Sequence, residues 1–459
     1  MSANEPALLD PFAVSAPDEA AELSALVRTL ELAEGFQLIF VRCNQIPQRE
    51  HLMEEVRSRL PKLNIQTIFF REPLQHLLDS MQVQLTTPLP DIVFVSGLEF
   101  SLPVAAEAHV APLIANINAS RNSFAQLLSC PVVFWVPEYV LTAIAQGAPD
   151  FFSVRSSVYF FAAKPTEIAH LAQDLSAGKS WEVESLSQQE KQDRIAAIER
   201  LLADYKFQPD TQRDRHTELR LLGQLGDVFY TQGDYDHALA YFNRALKMAE
   251  DLNDLAGVAT SLHQIGIVQQ ARGNYEAALE YYQRSLKMKE YLGNVAGVAN
   301  SLHQIGMVQQ ARGNYEAALE YYQRSLKMKE EIGNVAGVAR SLLQIGIVQD
   351  LRGNNEAALE YYQRSLKIKE EIGNVAGVAS SLGQMGNLMM EVGQFAEAFG
   401  LIMQALSTFL QLESPNAQIA ANNLRKLRGK WDGFDAAWRK AKGEDMPEWL
   451  LQQDEEVKA

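Results

Sequence analysis

Between residues 255 and 391 the chain repeats a set of hydrogen-bonding side chains and changes a few of them from copy to copy. The changes fall at fixed places. One position holds Thr260, then Asn300, then Arg340, and another holds His263, His303 and Leu343. A third holds Ile267, Met307, Ile347 and, in a last copy, Asn387. Gln270, Gln310 and Asp350 occupy a fourth, followed by Ala271, Ala311 and Leu351. Amides and imidazoles both donate and accept, which suits the backbone of a protein or peptide, and Met and aliphatic groups suit its apolar side chains. No CxxC, HExxH or His/Cys cluster accompanies them. The expected chemistry is binding, with no cofactor, no metal and no catalytic residue.

A second constellation lies in the first third of the chain. Glu99, Asn118, Arg121 and Glu138 follow or flank apolar runs of strand length, and α/β sheets hold ligands at strand ends. A phosphate loop, GxxxxGK[ST], is not among them. The segment after the first run is "RCNQIPQRE", without a Gly to free backbone N–H groups or a Lys for terminal phosphates. The third run, "IVFVSGLE", ends on Ser96 where a magnesium-binding Asp would stand.

The elements that position the first constellation are legible as copies. "GNYEAALEYYQRSLKMKE" occupies 273–290 and recurs unchanged at 313–330, then with two changes at 353–370. From about 221 to 420 the chain has a 40-residue period, two helices to a unit. In one first helix Leu262, Ile265 and Val268 stand at helical spacing, Gly273 stops it, and Asn274 and Asn294 are placed to cap the helices that follow. A single pair cannot bury its apolar face, so neighbours must stack. The second helices stay fixed while most changes collect on first helices. That pattern predicts an outer scaffold and a first-helix groove that binds.

These units resemble tetratricopeptide repeats. The resemblance rests on Leu262, Ile265–Gly266, Gly273 with Tyr275, Ala278, Tyr282 and Ser285, and on the matching Leu222, Leu225–Gly226, Gly233, Tyr235, Ala238, Tyr241–Phe242 and Ala245. The helix-ending Pro is missing and the second helix is longer, as in the 40-residue repeats of kinesin light chains. The resemblance implies a right-handed superhelix with first helices on its concave face. Residues 381–420 form a degenerate last unit, and Trp431, Phe434 and Trp438 are expected to cover its end.

Ahead of the repeats, "FQLIFVRC", "IQTIFF", "DIVFVSG", "CPVVFWV" and "SVYFF" alternate with helical stretches at 17–33, 48–60, 72–82, 109–128 and 138–146. Such alternation predicts a parallel sheet of about five strands with helices on both faces. Residues 97–161 resemble the N-terminal region of bacterial tetratricopeptide proteins, itself similar to degenerate STAND-type P-loop ATPases. That implies a nucleotide-hydrolase shape used for signalling, with its Lys and Asp positions departed from.

The expected organisation is a flexible N-terminus (1–16), an α/β domain (17–180), a helical linker (181–215), a repeat array (216–420) and a capping helix and tail (421–459). Within the linker, Ile195, Ile198, Leu201 and Leu202 form an apolar stripe, and "KFQPDTQRD" is its flexible point. The "EWLLQQ" cluster of the tail reads as a packed end or a docking peptide. A formal charge of −16 argues against nucleic acid and anionic membrane partners. No signal peptide or 18-residue uncharged apolar segment is expected, and Cys43 and Cys130 read as reduced thiols of a cytoplasmic protein. The functional expectation is an adaptor or sensor whose repeats bind a protein or peptide and whose α/β domain signals, self-associates or docks an effector. Two alternatives stay open: a nucleotide hydrolase built around Glu99 and Arg121, and a structural protein that assembles as a homo-oligomer.

Overall fold

A computed structural model describes residues 18–102, 111–176, 186–206, 214–443 and 447. The chain divides into two compact units, Met1–Met248 and Ala249–Ala459.

The N-terminal unit contains the five expected strands: β1 (Leu38–Cys43), β2 (Ile65–Phe69), β3 (Ile92–Ser96), β4 (Val132–Val136) and β5 (Ser157–Phe161). All pair in parallel, in the order β2-β3-β4-β1-β5. Alternate side chains face opposite sides, as the period of two in a strand requires. Ile39, Val41, Phe94, Val133 and Trp135 pack under α1 (Glu19–Glu31) and α2 (Ile46–Arg59). Phe40, Val93, Val95 and Phe134 pack on the other side under α3 (Leu77–Gln84), α4 (Pro112–Ala119), α5 (Arg121–Leu127), α6 (Glu138–Gly147) and α7 (Pro149–Ser153).

Two expectations need correction here. The helix expected over 109–128 is two helices that meet at Ser120, whose hydroxyl bonds back to the Asn116 carbonyl. Ser and Asn side chains compete for backbone groups and so interrupt helices. The helix expected from residue 72 begins at Leu77. After β5 come α8 (Pro165–Ser176) and α9 (Gln188–Lys206), where Ile195, Ile198, Leu201 and Leu202 are all buried. Of the linker's flexible point (206–214), Lys206 ends α9 and Asp214 accepts the Thr217 backbone N–H; residues 207–213, the N-terminus (1–16) and the Trp-Leu-Leu cluster of the tail lie outside the described residues.

From Leu255 to Gln411 the chain is a run of paired 17-residue helices, a solenoid. In one pair the first helix is Leu255–Ala271 and the second Tyr275–Tyr291. The pair closes tightly because Gly266 faces Tyr282: a Cβ there would lie 2.7 Å from the ring. The Ser285 hydroxyl donates to the Ala259 carbonyl at 2.6 Å, which satisfies a polar group buried in the seam. Asn294, Asn334 and Asn374 cap the first helices that follow them, as expected. Asn274 takes the N-cap position, but its side chain makes no capping bond. Its amide donates instead to Gln269 at 2.8 Å, and Asn314 and Asn354 do the same with Gln309 and Gln349.

Successive pairs meet through near-identical joints. Ala278, Leu279 and Tyr282 pack on Ile305 and Val308; Ala318, Leu319 and Tyr322 pack on Ile345 and Val348. Each joint also seats a lysine. Lys289, Lys329 and Lys369 donate to Ser301, Ser341 and Ser381 at 3.0, 3.1 and 2.9 Å. The end is covered as expected, with Phe434 and Trp438 buried beside Leu424, Leu427 and Phe399.

The joints carry a prediction. Deleting residues 301–340 brings Ile345, Val348 and Ser341 to the places of Ile305, Val308 and Ser301, which are the same residue types. Solenoid stability is roughly a sum of unit and neighbour terms. The shortened chain should therefore fold cooperatively with a modestly lower melting temperature by circular dichroism. An insoluble or unfolded product would show that the joints are not interchangeable.

Candidate functional site

A first helix of the array has one open stripe. In Leu255–Ala271, residues 260, 264, 267 and 271 share a face, and none of them is buried. Down the array this stripe carries Thr260, Asn300, Arg340 and Ser380, all at an unburied position, and then Ile267, Met307, Ile347 and Asn387, all half-buried. Leu351 is 53 % exposed. Between the varying positions stands one that never varies: Gln264, Gln304, Gln344 and Gln384, each half-buried. Copy-to-copy comparison passes over these glutamines, because constancy reads as scaffold. The signal in the sequence is their polarity at a position next to changing ones.

The histidines and the other amides sit elsewhere. His263 lies 5.3 Å from the Tyr282 ring and His303 5.2 Å from the Tyr322 ring, centroid to centroid. The tyrosine hydroxyls donate to Gln270 and Gln310 at 2.9 Å, and that of Tyr362 to Asp350 at 3.3 Å. Spacing alone puts most of the varying positions on the stripe opposite the unit's own second helix; these ones lie instead on the flank that packs against it. The physical reason is the reach of a tyrosine, which crosses the seam to the neighbouring helix. His303 is only 5 % exposed. Burial pushes the pKa of both imidazoles down to about 3, with the Lys289 or Lys329 ammonium adding to the effect. Both rings are neutral at pH 7. Leu343, half-buried, takes the place of the imidazole in the third unit and packs against the apolar cluster there. Asp350 keeps the acceptor for its tyrosine, and its pKa is raised by burial and then by the Glu391 charge.

The N-terminal unit has its own crevice. Parallel strands bring all their carboxyl ends to one edge, and ligands bind there where neighbouring connections leave on opposite faces. Here β1 leads into α2 on one face and its neighbour β4 leads into α6 on the other. Asn44 follows β1, and its Oδ1 accepts the Glu138 backbone N–H at 2.8 Å. Its Nδ2 donates to Asp204 at 2.9 Å, and Gln45 donates to the other Asp204 oxygen at 2.7 Å. Asp204 belongs to α9 and is 1 % exposed. Burial raises its pKa to about 6, against the pull of the Gln45 and Asn44 hydrogen bonds. The crevice of this sheet is thus filled by a carboxylate of the same chain. Nothing in the sequence marks Asp204 except its place inside the apolar stripe of α9.

Glu99 and Glu138 do lie at the carboxyl edge. Gly97, at φ 91°, lets the chain pass so close to Phe70 that a Cβ would sit 2.1 Å from its carbonyl oxygen. Glu99 then turns inward and meets Arg49 of α2 at 2.6 Å, both side chains being buried. Glu138 stands 3.8 Å from Arg42. Asn118 is at the opposite edge, since α6 carries the chain there from β4 and Asn118 accepts the backbone N–H groups of Asp150 and Phe151 beyond it. Arg121, three residues on, bonds to Asn122. The four residues therefore form no common pocket. Among the described residues no group of three His, Cys, Asp or Glu side chains is placed to hold a metal ion. Cys43 and Cys130 are buried and unpaired with one another. No helix among the described residues is long and apolar enough to cross a membrane.

The Tetratricopeptide repeat family model matches residues 217–290 and 297–371. No curated protein matches the sequence. Similar solved structures include BtubC (BKLC) from P. vanneervenii, at 18 % identity and TM-score 0.44, over 50 % of this chain and 93 % of that one. A putative kinesin light chain from Podosopora anserina with nearly identical TPR-like repeats matches at 14 % identity and TM-score 0.37, over 46 % and 98 %. NprR in complex with its cognate peptide NprX matches at 13 % identity and TM-score 0.45, over 73 % and 88 %.

Proposed function

We propose that this chain, which carries tetratricopeptide repeats, is a protein-interaction adaptor that holds an extended segment of a partner along the first helices of its array. The observation that carries the reading is the glutamine at 264, 304, 344 and 384 on the open stripe. A carboxamide has one acceptor and two donors, the complement of a peptide backbone, and four at one period can follow a chain. The side chains beside them, Asn300, Arg340, Met307 and Leu351, differ from unit to unit and supply selectivity. They carry little charge, so the favoured ligand is a mixed polar and apolar segment. The α/β domain serves as a docking or signalling module without turnover. Support for that comes from Asp204, whose carboxylate fills the crevice a nucleotide phosphate would need.

The test starts from a randomised peptide library selected on the full chain. The best peptide is titrated against Gln304→Ala/Gln344→Ala and, as an outer-helix comparison, Gln283→Ala/Gln323→Ala. Loss of a contact that carries an interface costs about 1–2 kcal/mol, roughly tenfold in affinity. The stripe pair should weaken binding by at least that factor and the outer pair should not. Equal affinities, or loss in the outer pair alone, would remove the stripe from the interface.

A further inference from the structure

We propose that the N-terminal unit binds a small molecule through a terminal phosphate, in a pocket at the carboxyl ends of β2 and β3. The pocket has a volume of about 400 Å³; its polar lining is Arg49 and Arg57 but also Glu50 and Glu54 of α2, Thr67 of β2, Ser96 of β3, and Arg71, with the Phe69 ring beside them. It lies apart from the crevice that Asp204 fills, and it uses side chains where a phosphate loop would use backbone N–H groups.

Arg49 is the reason to expect an anion. The residue is 1 % exposed. One guanidinium nitrogen, Nη1, does all the visible bonding, to Glu99, to Ser96 Oγ at 3.4 Å and to the Trp135 carbonyl at 3.3 Å. The other edge, Nε with Nη2, has no hydrogen-bond partner among the described residues. Buried donors are nearly always partnered, so such an edge calls for a ligand group. Nε–H and Nη2–H are parallel donors at the spacing of two oxygens of one oxyanion.

The surrounding groups complete the set. Ser96 Oγ accepts from Arg49, and Thr67 Oγ1 accepts from Arg57. A hydroxyl that accepts from a guanidinium keeps its own proton to donate. Arg57 is also tied to Glu54 at 3.3 Å, so its charge is matched. Arg71 is exposed, has no ion pair among the described residues, and lies 5.8 Å from the centre of the Phe69 ring. A fork, two hydroxyls and a second cation outnumber the two oxygens of a carboxylate. They suit a tetrahedral phosphate with three free oxygens, and the Phe69 ring offers a face for a flat organic part.

The experiment uses the full chain and four probes at matched ionic strength: inorganic phosphate, phenyl phosphate, acetate and benzoate. Calorimetric titration should show saturable binding of both phosphates, tighter for phenyl phosphate, with weaker or no binding of the carboxylates. Arg71→Ala is on the surface and leaves the fold alone; it should weaken phenyl phosphate by about tenfold. Arg49→Lys keeps the charge opposite Glu99 and removes the fork, and should weaken it at least as much with the melting temperature checked alongside. No saturable phosphate binding, carboxylates bound as tightly as phosphates, or full affinity in Arg71→Ala would each overturn the proposal.

Discussion

Glu99→Ala should lower the stability of the N-terminal unit by about 3–5 kcal/mol, the usual cost of stranding one member of a buried ion pair. The Arg49 and Glu99 side chains are 1 % and 2 % exposed and 2.6 Å apart. Removal of the carboxylate leaves a guanidinium charge in an apolar layer beside Trp135. The double replacement Arg49→Met/Glu99→Leu removes both charges and should recover most of the loss, since a packed apolar pair often equals or exceeds an ionic one. Urea melts of the three proteins measure this directly. A loss under about 1 kcal/mol in the single variant, the level of a surface pair, would mean that water reaches the pair.

Acid should loosen the repeat array from within. Burial pushes the His263 and His303 imidazoles down to about 3, from the ordinary value of about 6.5 that they regain when unfolded. As pH falls below 6.5 the unfolded chain takes up protons that the folded chain refuses. Stability is therefore full above 6.5 and is lost progressively down to about 3. Each tenfold difference in proton affinity between the two states is about 1.4 kcal/mol, so the two histidines together account for several kcal/mol. Leu343 already fills this position in the third unit, which makes His263→Leu/His303→Leu a conservative test. The double variant should melt at nearly the same temperature at pH 7 and at a clearly higher one than the parent at pH 4. Coincident melting curves at pH 4 would show that other groups set the acid limit.

The strands are readable because they are short β-branched and aromatic runs bounded by turn residues, and the repeats because eighteen residues recur without change. What a period cannot convey is which neighbour a side chain reaches. A helical wheel puts His263 and Gln270 beside the open stripe; only the position of Tyr282 on another helix shows that they face the seam. Charged residues on amphipathic helices default to solvent, so Arg49 and Asp204 read as surface groups until their partners appear. Those partners are 50 and 160 residues away in sequence. Asn118 escapes for a related reason: helix α6 carries the chain across the sheet, and strand-end logic applies to one edge only.

The likeness of the joints makes array length a countable quantity. Tyr282 meets an isoleucine and a valine in one neighbour, and Tyr322 meets the same pair in the next. A unit gained or lost creates no surface that the chain has not already solved. The glutamine rung comes with each unit, so the reach of the stripe grows in whole steps and never by a fraction. On the proposed reading of the stripe, two relatives that differ by one unit would grip segments of different length in the same register, and selection could adjust the grasp of such a chain by counting rather than by redesign.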